Sequence, residues 1–460
     1  MTFLTLKDAT PDTNPDVVDE ATSNGHSPTT AIELLNDFLR RHPAIRFVRL
    51  QWQDMSGILR AQVVCVGIAR ALAAGTRTMR LCSSSCNGLV DNTLVEAASL
   101  TGGHTGFPDW SSLKTRPTLD PLYAGVMCRV GWHTPRSPKP STDRCPRRAL
   151  ATVVDQARRL CQLEVLVGFE VEFEVFREEA DGRLVLHSAS LGTSACAGLR
   201  DPCYAYVEEA MLILLDAGVG LEVVHSEGAV GQYELVFGPR PPLEAVDELI
   251  VVQDTLKRVF ARHGLVATMF PRPLPGRFQS NGQHTHLSIN RPELEYSFLA
   301  GILERLRGLC ALCLPFGLSY ERILPRLAGD VVAWGTEDRS VPVRRIKPGH
   351  WEIRPVDATA NMYLTVAAIL SAGLIGCVNN EPLLLSDTGL HDGGLAAVGG
   401  MPLPTSIDEA LDGLAQIVPE LECMMQSKAL QRYLQLKRVE ALKLQNMGVD
   451  EARRFLTQLF

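Results

Sequence analysis

The sequence predicts an α+β fold with a small N-terminal domain ahead of a large one. Strand-like and helical segments alternate without the strict strand–helix–strand rhythm of a doubly wound sheet, which favours an antiparallel sheet with helices. The chain of 460 residues is too long for one ordinary core. A segment dense in Pro, Ser and basic residues, 133–148, is typical of a linker.

These features divide the chain into four parts. Polar residues rich in Pro, Thr, Asp and Asn predict a disordered tail before the first helix, which is expected from Ala31 to Arg41. Two strands are predicted within 44–66, joined by a turn at Gly57. The region after Ser406 is predicted to be helical. The parts are a tail (1–30), an N-terminal domain (31–132), the linker (133–148) and a large domain (149–460).

Composition excludes several classes of protein. The net charge is −7 and no basic run stands out, so nucleic acid is not an expected partner. Twelve cysteines follow no regular framework. Cys310 and Cys313 form a CxxC pair without a second pair to complete a zinc site, so we predict buried structural thiols. The first residues lack the basic-then-apolar pattern of a signal peptide, and a cytoplasmic protein is expected.

The longest uncharged stretch, 358–380, approaches the length of a membrane span. It contains Asn361, Tyr363 and Ser371, and small residues recur through it. We therefore predict a buried core helix capped by Asp357 and no membrane contact, with a membrane span as the alternative.

The segment VGFEVEFEVF (167–176) places Glu170, Glu172 and Glu174 at alternate positions of an apolar run. Side chains in a strand point alternately to opposite faces, so this strand has one apolar face and one carboxylate face. An edge strand, or a half-exposed strand in an antiparallel sheet, would explain the pattern without any site. The alternative is that the carboxylates have cationic partners elsewhere in the chain.

Three other segments carry acids or imidazoles where strands and tight turns are expected. Each pattern alone is common in structural strands, but together they offer several carboxylates and histidines beside Gly-rich turns. Converging carboxylates push one another toward protonation unless cations lie between them. Such a donor set suits Mg²⁺ or Mn²⁺ better than zinc. The segments are HSEGAVGQYELVF (225–237), QSNGQHTHLSI (279–289) and WEIRPVDATAN (351–361).

Taken in order, these motifs resemble the glutamine synthetase family, in particular its short bacterial-type (class I) members and their γ-glutamyl-amide ligase relatives. The resemblance runs from about Phe47 to the C-terminus. The motifs are G-x-E-x-E (168–172), H-x-E-x3-G-Q-x-E (225–234), H-x-H-x-S (284–288), D-R-S followed by Arg344 (338–344) and E-x-R-x2-D-x2-A-N (352–361).

The resemblance implies a β-grasp-like N-terminal domain and a catalytic domain whose antiparallel sheet forms an active-site funnel. It implies ATP and two divalent ions as cofactors, and a homo-oligomeric double ring with sites between subunits. Asp54 would reach a neighbouring subunit's site. By motif, one ion would be held by Glu172, Glu227 and Glu234, and the other by Glu170, His284 and Glu352. ATP would be contacted by His286, Ser288, Arg339 and Arg344, and the catalytic residues would be Arg339 and Asp54. The acid substrate would be bound by Arg322, Arg354 and Ser280. Glu174 is left as a surface or supporting residue.

Two departures from the family pattern concern the substrates. Where the family has Asn-Gly before the H-x-H strand, this chain has Gln279-Ser280, followed by Asn281-Gly282. Ammonia-using members carry a flap glutamate six residues after the arginine that matches Arg322, and here that position is Ala328, with Asp330 as a nearby substitute. We therefore predict an ATP-dependent ligase that joins glutamate or a similar acid to an amine. A glutamine synthetase using ammonia and a non-catalytic scaffold are the alternatives.

Overall fold

The computed structural model describes residues 27–82, 84–95, 103–134, 137–189, 191–390, 394–395 and 400–460. Positions 1–26 of the predicted disordered tail lie outside the described residues. Its last three positions, 28–30, instead open the first helix. The Ser27 side chain accepts the N–H of Thr30, and Pro28 occupies the first turn, where its missing N–H costs nothing.

The N-terminal domain contains a seven-stranded mixed sheet. Its order is β2-β1-β6-β4-β3, and β5 and β7 also pair with β6. The central strands β1 and β6 are parallel, whereas the other pairs are antiparallel. The strands are β1 (Phe47–Gln53), β2 (Leu59–Cys65), β3 (Met79–Cys82), β4 (Gly103–Pro108), β5 (Lys114–Thr115), β6 (Tyr123–Thr134) and β7 (Ser137–Ser141).

The predicted hairpin of β1 and β2 turns at Gly57, which has a positive φ of 84°. A Cβ at this position would lie 2.8 Å from the carbonyl oxygen of Thr359 in the large domain. Glycine is therefore required both by the turn and by the close approach of the two domains.

Three helices accompany this sheet and share its core, the third through Cys86. Ala31 and Leu35 of the first helix and Ala69 of the second are buried with Val48 and Trp52 of β1. The helix predicted from Ala31 is thus confirmed. The helices are α1 (Pro28–Arg41), α2 (Val66–Ala73) and α3 (Ser84–Asn87).

The large domain is built on a nine-stranded sheet with the order β10-β11-β8-β13-β16-β15-β14, to which β9 and β12 add beside β8. The predicted antiparallel sheet needs one correction, because β14 and β15 are parallel. The strands are β8 (Val165–Glu178), β9 (Leu184–Leu186), β10 (Leu221–Ser226), β11 (Gln232–Arg240), β12 (Leu265–Thr268), β13 (Thr285–Ile289), β14 (Trp334–Thr336), β15 (Val343–Lys347) and β16 (His350–Ile353).

Helices cover the apolar face of this sheet. The region after Ser406 is helical as predicted, and the Ser406 side chain caps its first helix. The helices are α4 (Pro146–Cys161), α5 (Cys196–Leu199), α6 (Tyr204–Asp216), α7 (Pro242–Arg262), α8 (Glu295–Cys313), α9 (Met362–Asn379), α10 (Ile407–Met425), α11 (Ala429–Met447) and α12 (Val449–Leu459).

The uncharged segment forms the central core helix α9. It is long and apolar enough to cross a membrane, but 83% of it is buried inside the protein. The predicted N-cap was wrong: Asn361 caps α9 by accepting the N–H of Leu364, whereas Asp357 accepts the N–H of Thr359 in the preceding turn. Cys310 and Cys313 are fully buried on α8, which packs against α9, in keeping with structural thiols.

The two domains share one continuous core. Met55, Leu89 and Met127 from the N-terminal domain are buried in the same cluster as the large sheet and its helices. The segment predicted as a linker, 133–148, carries β7, which pairs with β6, and the first turn of α4.

Candidate active site

The register of the large sheet brings the predicted acids and histidines together. β8 is an interior strand between β11 and β13, so the edge-strand alternative was wrong. Glu172 of β8 lies directly opposite Glu234 of β11, and His286 of β13 lies opposite Glu352 of β16. Like charges directly opposite each other destabilise a sheet, so this face requires cations or protons.

Two groups of donor atoms converge on His284. One contains Glu170, His284 and Glu352, the other Glu172, Glu234 and His284, and within each group the donor atoms lie within 4.8 Å of one another. The Nδ1 atom of His284 lies 2.8 Å from a Glu170 oxygen and 3.3 Å from a Glu352 oxygen. A set of carboxylates with one imidazole, with two centres side by side, fits two hard divalent cations.

The protonation of these groups reflects their crowding. Burial raises the pKa of Glu172 to about 7, and the neighbouring charge of Glu234 adds to the effect. Burial also opposes ionisation of Glu170, but hydrogen bonds from His284 and His286 outweigh it and hold its pKa well below the usual range. Without a metal, protons and histidines are therefore what balance this cluster.

Glu227 offers a further oxygen to a cation. The sequence predicts that two glycines bend the chain between Glu227 and Glu234, and Gly231 does so with a φ of 72°. Glu227 is partly buried and contacts Thr193, but its Oε2 atom is buried and has no hydrogen-bond partner among the described residues. A carboxylate oxygen in that condition costs free energy unless a cation meets it. The predicted ligands thus fit a metal pair.

Two arginines fix Glu352 from either side. Arg354 donates to Glu352 Oε1 at 2.6 Å, and Arg344 donates to Glu352 Oε2 at 3.1 Å and also pairs with Glu337. Although burial opposes ionisation of Glu352, His284 and Arg354 lower its pKa. Arg344 and Arg354 therefore hold this carboxylate charged and in one orientation.

Arg322 is fastened to the backbone at the floor of the site. It is 2% exposed, donates to Ser280 Oγ at 3.0 Å, and also donates to the carbonyl oxygens of Asn281 and Arg354. Gly282 has no side chain between Arg322 and His284, and a Cβ there would lie 2.9 Å from atoms of both. The Ser280 position thus keeps a hydroxyl beside the arginine that the resemblance assigns to the acid substrate.

These residues surround a cavity of about 640 Å³, large enough for a small organic substrate. Acids of both donor groups line it together with Arg322, Arg354, Ser280 and the exposed Arg339.

The segment after Arg322 differs from the sequence expectation. Ala328 is fully buried and neither it nor Asp330 is among the residues that line the cavity. Arg326 and Leu327 line the wall instead. Asp330, suggested as a substitute for the flap acid, therefore does not belong to the described residues that line the cavity.

His286 and Ser288 lie on the same face of β13, further from the cavity. His286 Nε2 is 3.0 Å from a Glu170 oxygen, and its Nδ1 is 3.1 Å from Nε2 of His350. Ser288 pairs in register with His350. His350 was missed in the sequence, although its two-residue spacing from Glu352 places both on one face.

Glu174, left without an assigned partner, pairs with Arg277 and is 2% exposed. Arg277 also donates to the carbonyl oxygen of Val230 at 3.0 Å. This pair ties the loop before β13 to the turn between Glu227 and Glu234. The third glutamate of β8 is therefore a buried supporting residue.

Asp54 lies apart from the cluster. It is buried in the β1–β2 turn, where Oδ1 accepts the N–H groups of Ser56 and Ile58 and Oδ2 accepts from Arg60 at 2.8 Å. Burial raises its pKa to about 6. Within one chain Asp54 orders its own turn, and its contact with a neighbouring subunit's site stays a prediction.

Sequence reasoning also left Gln232 and His225 without a role, although both stand in the second motif. Gln232 Nε2 donates to Glu172 Oε2 at 2.9 Å and to Asn281 Oδ1 at 2.9 Å. His225 lies 3.2 Å from Glu234, and that hydrogen bond raises its pKa to about 9. Both residues therefore hold metal-ligand candidates in place.

Comparison with known proteins identifies the family of this chain. Residues 143–453 match the family model described as glutamine synthetase, catalytic domain. The chain is 30% identical to protein fluG of Emericella nidulans over 96% of its own length, and it spans 52% of that protein. It is 31% identical to gamma-glutamylpolyamine synthetase GlnA3 of Streptomyces coelicolor, over 79% of this chain and 84% of that protein.

Solved structures show the same fold. A GmaS–ADP complex superposes with a TM-score of 0.76 at 24% identity, covering 91% of this chain and 98% of that one. A crystal structure of a glutamine synthase homologue superposes with a TM-score of 0.75 at 23% identity, covering 90% and 99%. The family predicted from the motifs is confirmed: this chain belongs to the glutamine synthetase family of ATP-dependent ligases.

Proposed function

We propose that this protein is an ATP-dependent ligase that joins the γ-carboxylate of glutamate, or of a close analogue, to an organic amine. One observation carries the proposal. Acids of the two donor groups that share His284 line a cavity, and Arg322, Arg339 and Arg354 line it with them. Such a site offers ligands for metal-bound phosphates together with guanidinium groups for a carboxylate substrate.

The reaction would proceed in two steps. The γ-phosphoryl group of ATP passes to a carboxylate oxygen, which gives an acyl phosphate and ADP. The amine nitrogen then attacks the carbonyl carbon, phosphate leaves, and the nitrogen loses a proton. The amide bond forms in this way because phosphate is a far better leaving group than hydroxide.

Two divalent cations, Mg²⁺ or Mn²⁺, would be held by the six predicted ligands and would neutralise the charge that develops on the phosphoryl oxygens. Arg339 is exposed in the cavity and free to move toward the phosphoryl group, a role in which Arg344, anchored by Glu352 and Glu337, would support it. His286 and Ser288 would lie beside the nucleotide. Arg322 and Arg354 are already fixed by backbone carbonyls and can bind a substrate carboxylate with little reorganisation.

An organic amine is preferred over ammonium because neither Ala328, which matches the flap glutamate, nor the nearby Asp330 is among the described residues that line the cavity. Leu327, Thr193 and Ser194 do line it, and none of these three side chains carries a charge. The similarity to a protein named gamma-glutamylpolyamine synthetase supports a ligase for organic amines. Ammonium use, as in the relatives named glutamine synthetase, is the second candidate.

The remaining expectations concern assembly. The parallel β1–β6 pair flanked by antiparallel strands supports a β-grasp-like N-terminal domain, and the cavity would be one end of an active-site funnel. A cytoplasmic homo-oligomeric double ring, with Asp54 near a neighbouring site, completes the proposal. Mass photometry of the purified protein would test the ring, and a monomer at working concentration would refute it.

The test of function is phosphate release with ATP and Mg²⁺, using glutamate and hydroxylamine as a generic amine. Hydroxamate formation would support the ligase, and turnover with organic amines but little with ammonium would support the amine assignment. Glu352→Ala should lower turnover at least about 10²-fold, because it removes a proposed metal ligand and the carboxylate that Arg344 and Arg354 share. Glu293→Ala, which changes an exposed glutamate, is the matched control. If no phosphate is released with any acid or amine, whether or not a divalent metal is present, the non-catalytic scaffold is favoured instead.

A further inference from the structure

The carboxylates and the arginines that line the cavity differ in whether each already has an assigned role. All four carboxylates on its wall, Glu170, Glu172, Glu227 and Glu234, are proposed metal ligands. With divalent ions bound, no carboxylate among the described lining residues remains to receive a second positive charge on the amine. The wall still carries four arginines.

Three of these arginines already have a partner or a role. Arg354 pairs with Glu352, Arg322 is held by backbone carbonyls and Ser280, and Arg339 is assigned to the transferred phosphate. Arg326 is exposed, lines the cavity, and has no hydrogen-bond or ion-pair partner within the described part of the chain.

The backbone holds Arg326 in an unusual conformation. Its φ is 70°, in the left-handed region that non-glycine residues rarely adopt. Backbone hydrogen bonds fix the turn around it: the N–H of Leu327 donates to the carbonyl of Leu324 and the N–H of Ala328 to that of Arg322. Both Arg326 and Leu327 line the cavity, but Leu327 is buried, with 7% of it exposed, whereas Arg326 is exposed.

We propose that Arg326 selects the amine substrate by its charge, so that the site takes an amine bearing an anionic group, such as an amino acid, in preference to a polycation. A guanidinium group binds a carboxylate through paired hydrogen bonds and repels an ammonium group. This inference rests on the proposed ligase activity. It also separates this chain from a polyamine-using enzyme.

The test compares three amines of similar size that differ only in their far end: β-alanine with a carboxylate, propylamine with a methyl group, and propanediamine with an ammonium group. Glutamate, ATP and Mg²⁺ are held constant, and kcat/KM is measured for each amine and for glutamate. The full-length protein and the variants Arg326→Gln and Arg326→Glu are compared. Arg183→Glu makes the same charge change on the exposed β8–β9 turn, outside the cavity, and is the control.

We expect kcat/KM for β-alanine to exceed that for propanediamine by at least about tenfold. This order is expected even though the second ammonium group of the diamine leaves a larger fraction of its reacting amine unprotonated and therefore nucleophilic. Arg326→Gln should abolish this preference and Arg326→Glu should reverse it, while kcat/KM for glutamate stays unchanged in both. The control variant Arg183→Glu should keep the preference of the unmodified protein. A preference for propanediamine in the unmodified protein overturns the inference. So does an equal loss for all three amines with a raised KM for glutamate, since Arg326 would then bind the acid. Absence of turnover with every amine, hydroxylamine included, would instead refute the proposed function.

Discussion

Replacing Glu172 by glutamine should stabilise the metal-free protein and at the same time weaken its response to Mg²⁺. Glu172 Oε2 accepts the N–H of Gly282 at 2.8 Å and Nε2 of Gln232 at 2.9 Å. A glutamine can keep its oxygen in this place and direct its amide nitrogen toward Glu234. The substitution thus removes a charge without removing the hydrogen bonds.

The size of the gain follows from the pKa of Glu172. Burial raises it from 4.5 to about 7, so the folded state binds the proton more tightly than the unfolded state does. The free energy of unfolding therefore falls as the pH rises from 4.5 to about 7 and stays lower above that. At 1.36 kcal/mol for each pKa unit, ionised Glu172 costs about 3 kcal/mol at alkaline pH. A chain of this length loses about 1 kcal/mol of stability per degree near its melting temperature, so the gain corresponds to about 3 °C.

Scanning calorimetry in EDTA, at pH near 8 and near 5, measures this gain. Glu172→Gln should melt about 3 °C higher than the unmodified protein at the alkaline pH, and the difference should fall to about 1 °C at the acidic pH, where Glu172 is protonated in the fold but partly ionised in the unfolded chain. Excess Mg²⁺ should raise the melting temperature of the unmodified protein, because it binds only the folded state, and should raise that of the variant much less.

The exposed substitution Glu293→Gln is the control and should change neither quantity. The reasoning is refuted if Glu172→Gln is no more stable in EDTA at alkaline pH, since the carboxylates would then be accommodated without a cation. Full stabilisation of the variant by Mg²⁺ would equally remove Glu172 from the ligand set.

Three further substitutions test separate parts of the structure. Arg277→Met leaves the buried Glu174 carboxylate without its partner and should lower the free energy of unfolding by about 3 kcal/mol, measured by urea unfolding at neutral pH; a loss below about 1 kcal/mol would contradict the buried ion pair. Gly57→Ala should cost about 2 kcal/mol by the same measurement, because it strains a left-handed turn and crowds Thr359, and an unchanged midpoint would show that the turn is not required. Leu327→Glu places an acid on the cavity wall and should raise kcat/KM for ammonium about tenfold relative to propylamine, whereas no gain would mean that this position does not face the amine.

The motifs were enough to indicate the family because the face on which a strand side chain lies depends only on its position along the strand. Alternation along β8 places Glu170, Glu172 and Glu174 on one face whatever the rest of the chain does. The spacing of His284 and His286 and of Glu352 and Arg354 has the same origin. The order of these segments was therefore enough to indicate the family, the donor set and the need for cations.

Other features depended on which strands and loops become neighbours, and no local pattern encodes that. The register that sets Glu172 against Glu234 comes from the pairing of β8 with β11. The partner of Glu174 lies 103 positions along the chain, at Arg277. Asn361 rather than the predicted Asp357 caps α9, because the helix begins only at Met362, and the Asn361 side chain also donates to the backbone carbonyl of Asp54 in the other domain.

The wall of the cavity shows the limit of the motifs most clearly. Counting from Arg322 directs attention to Ala328, but the turn around Arg326 rotates Ala328 into the core and places Arg326 and Leu327 at the cavity. A turn's direction depends on the long-range packing that fixes it, here against Arg322 and the sheet. The sequence by itself determined the chemistry that the carboxylate face offers, and only the tertiary structure decided which side chains line the cavity, because that choice is made by packing between distant segments.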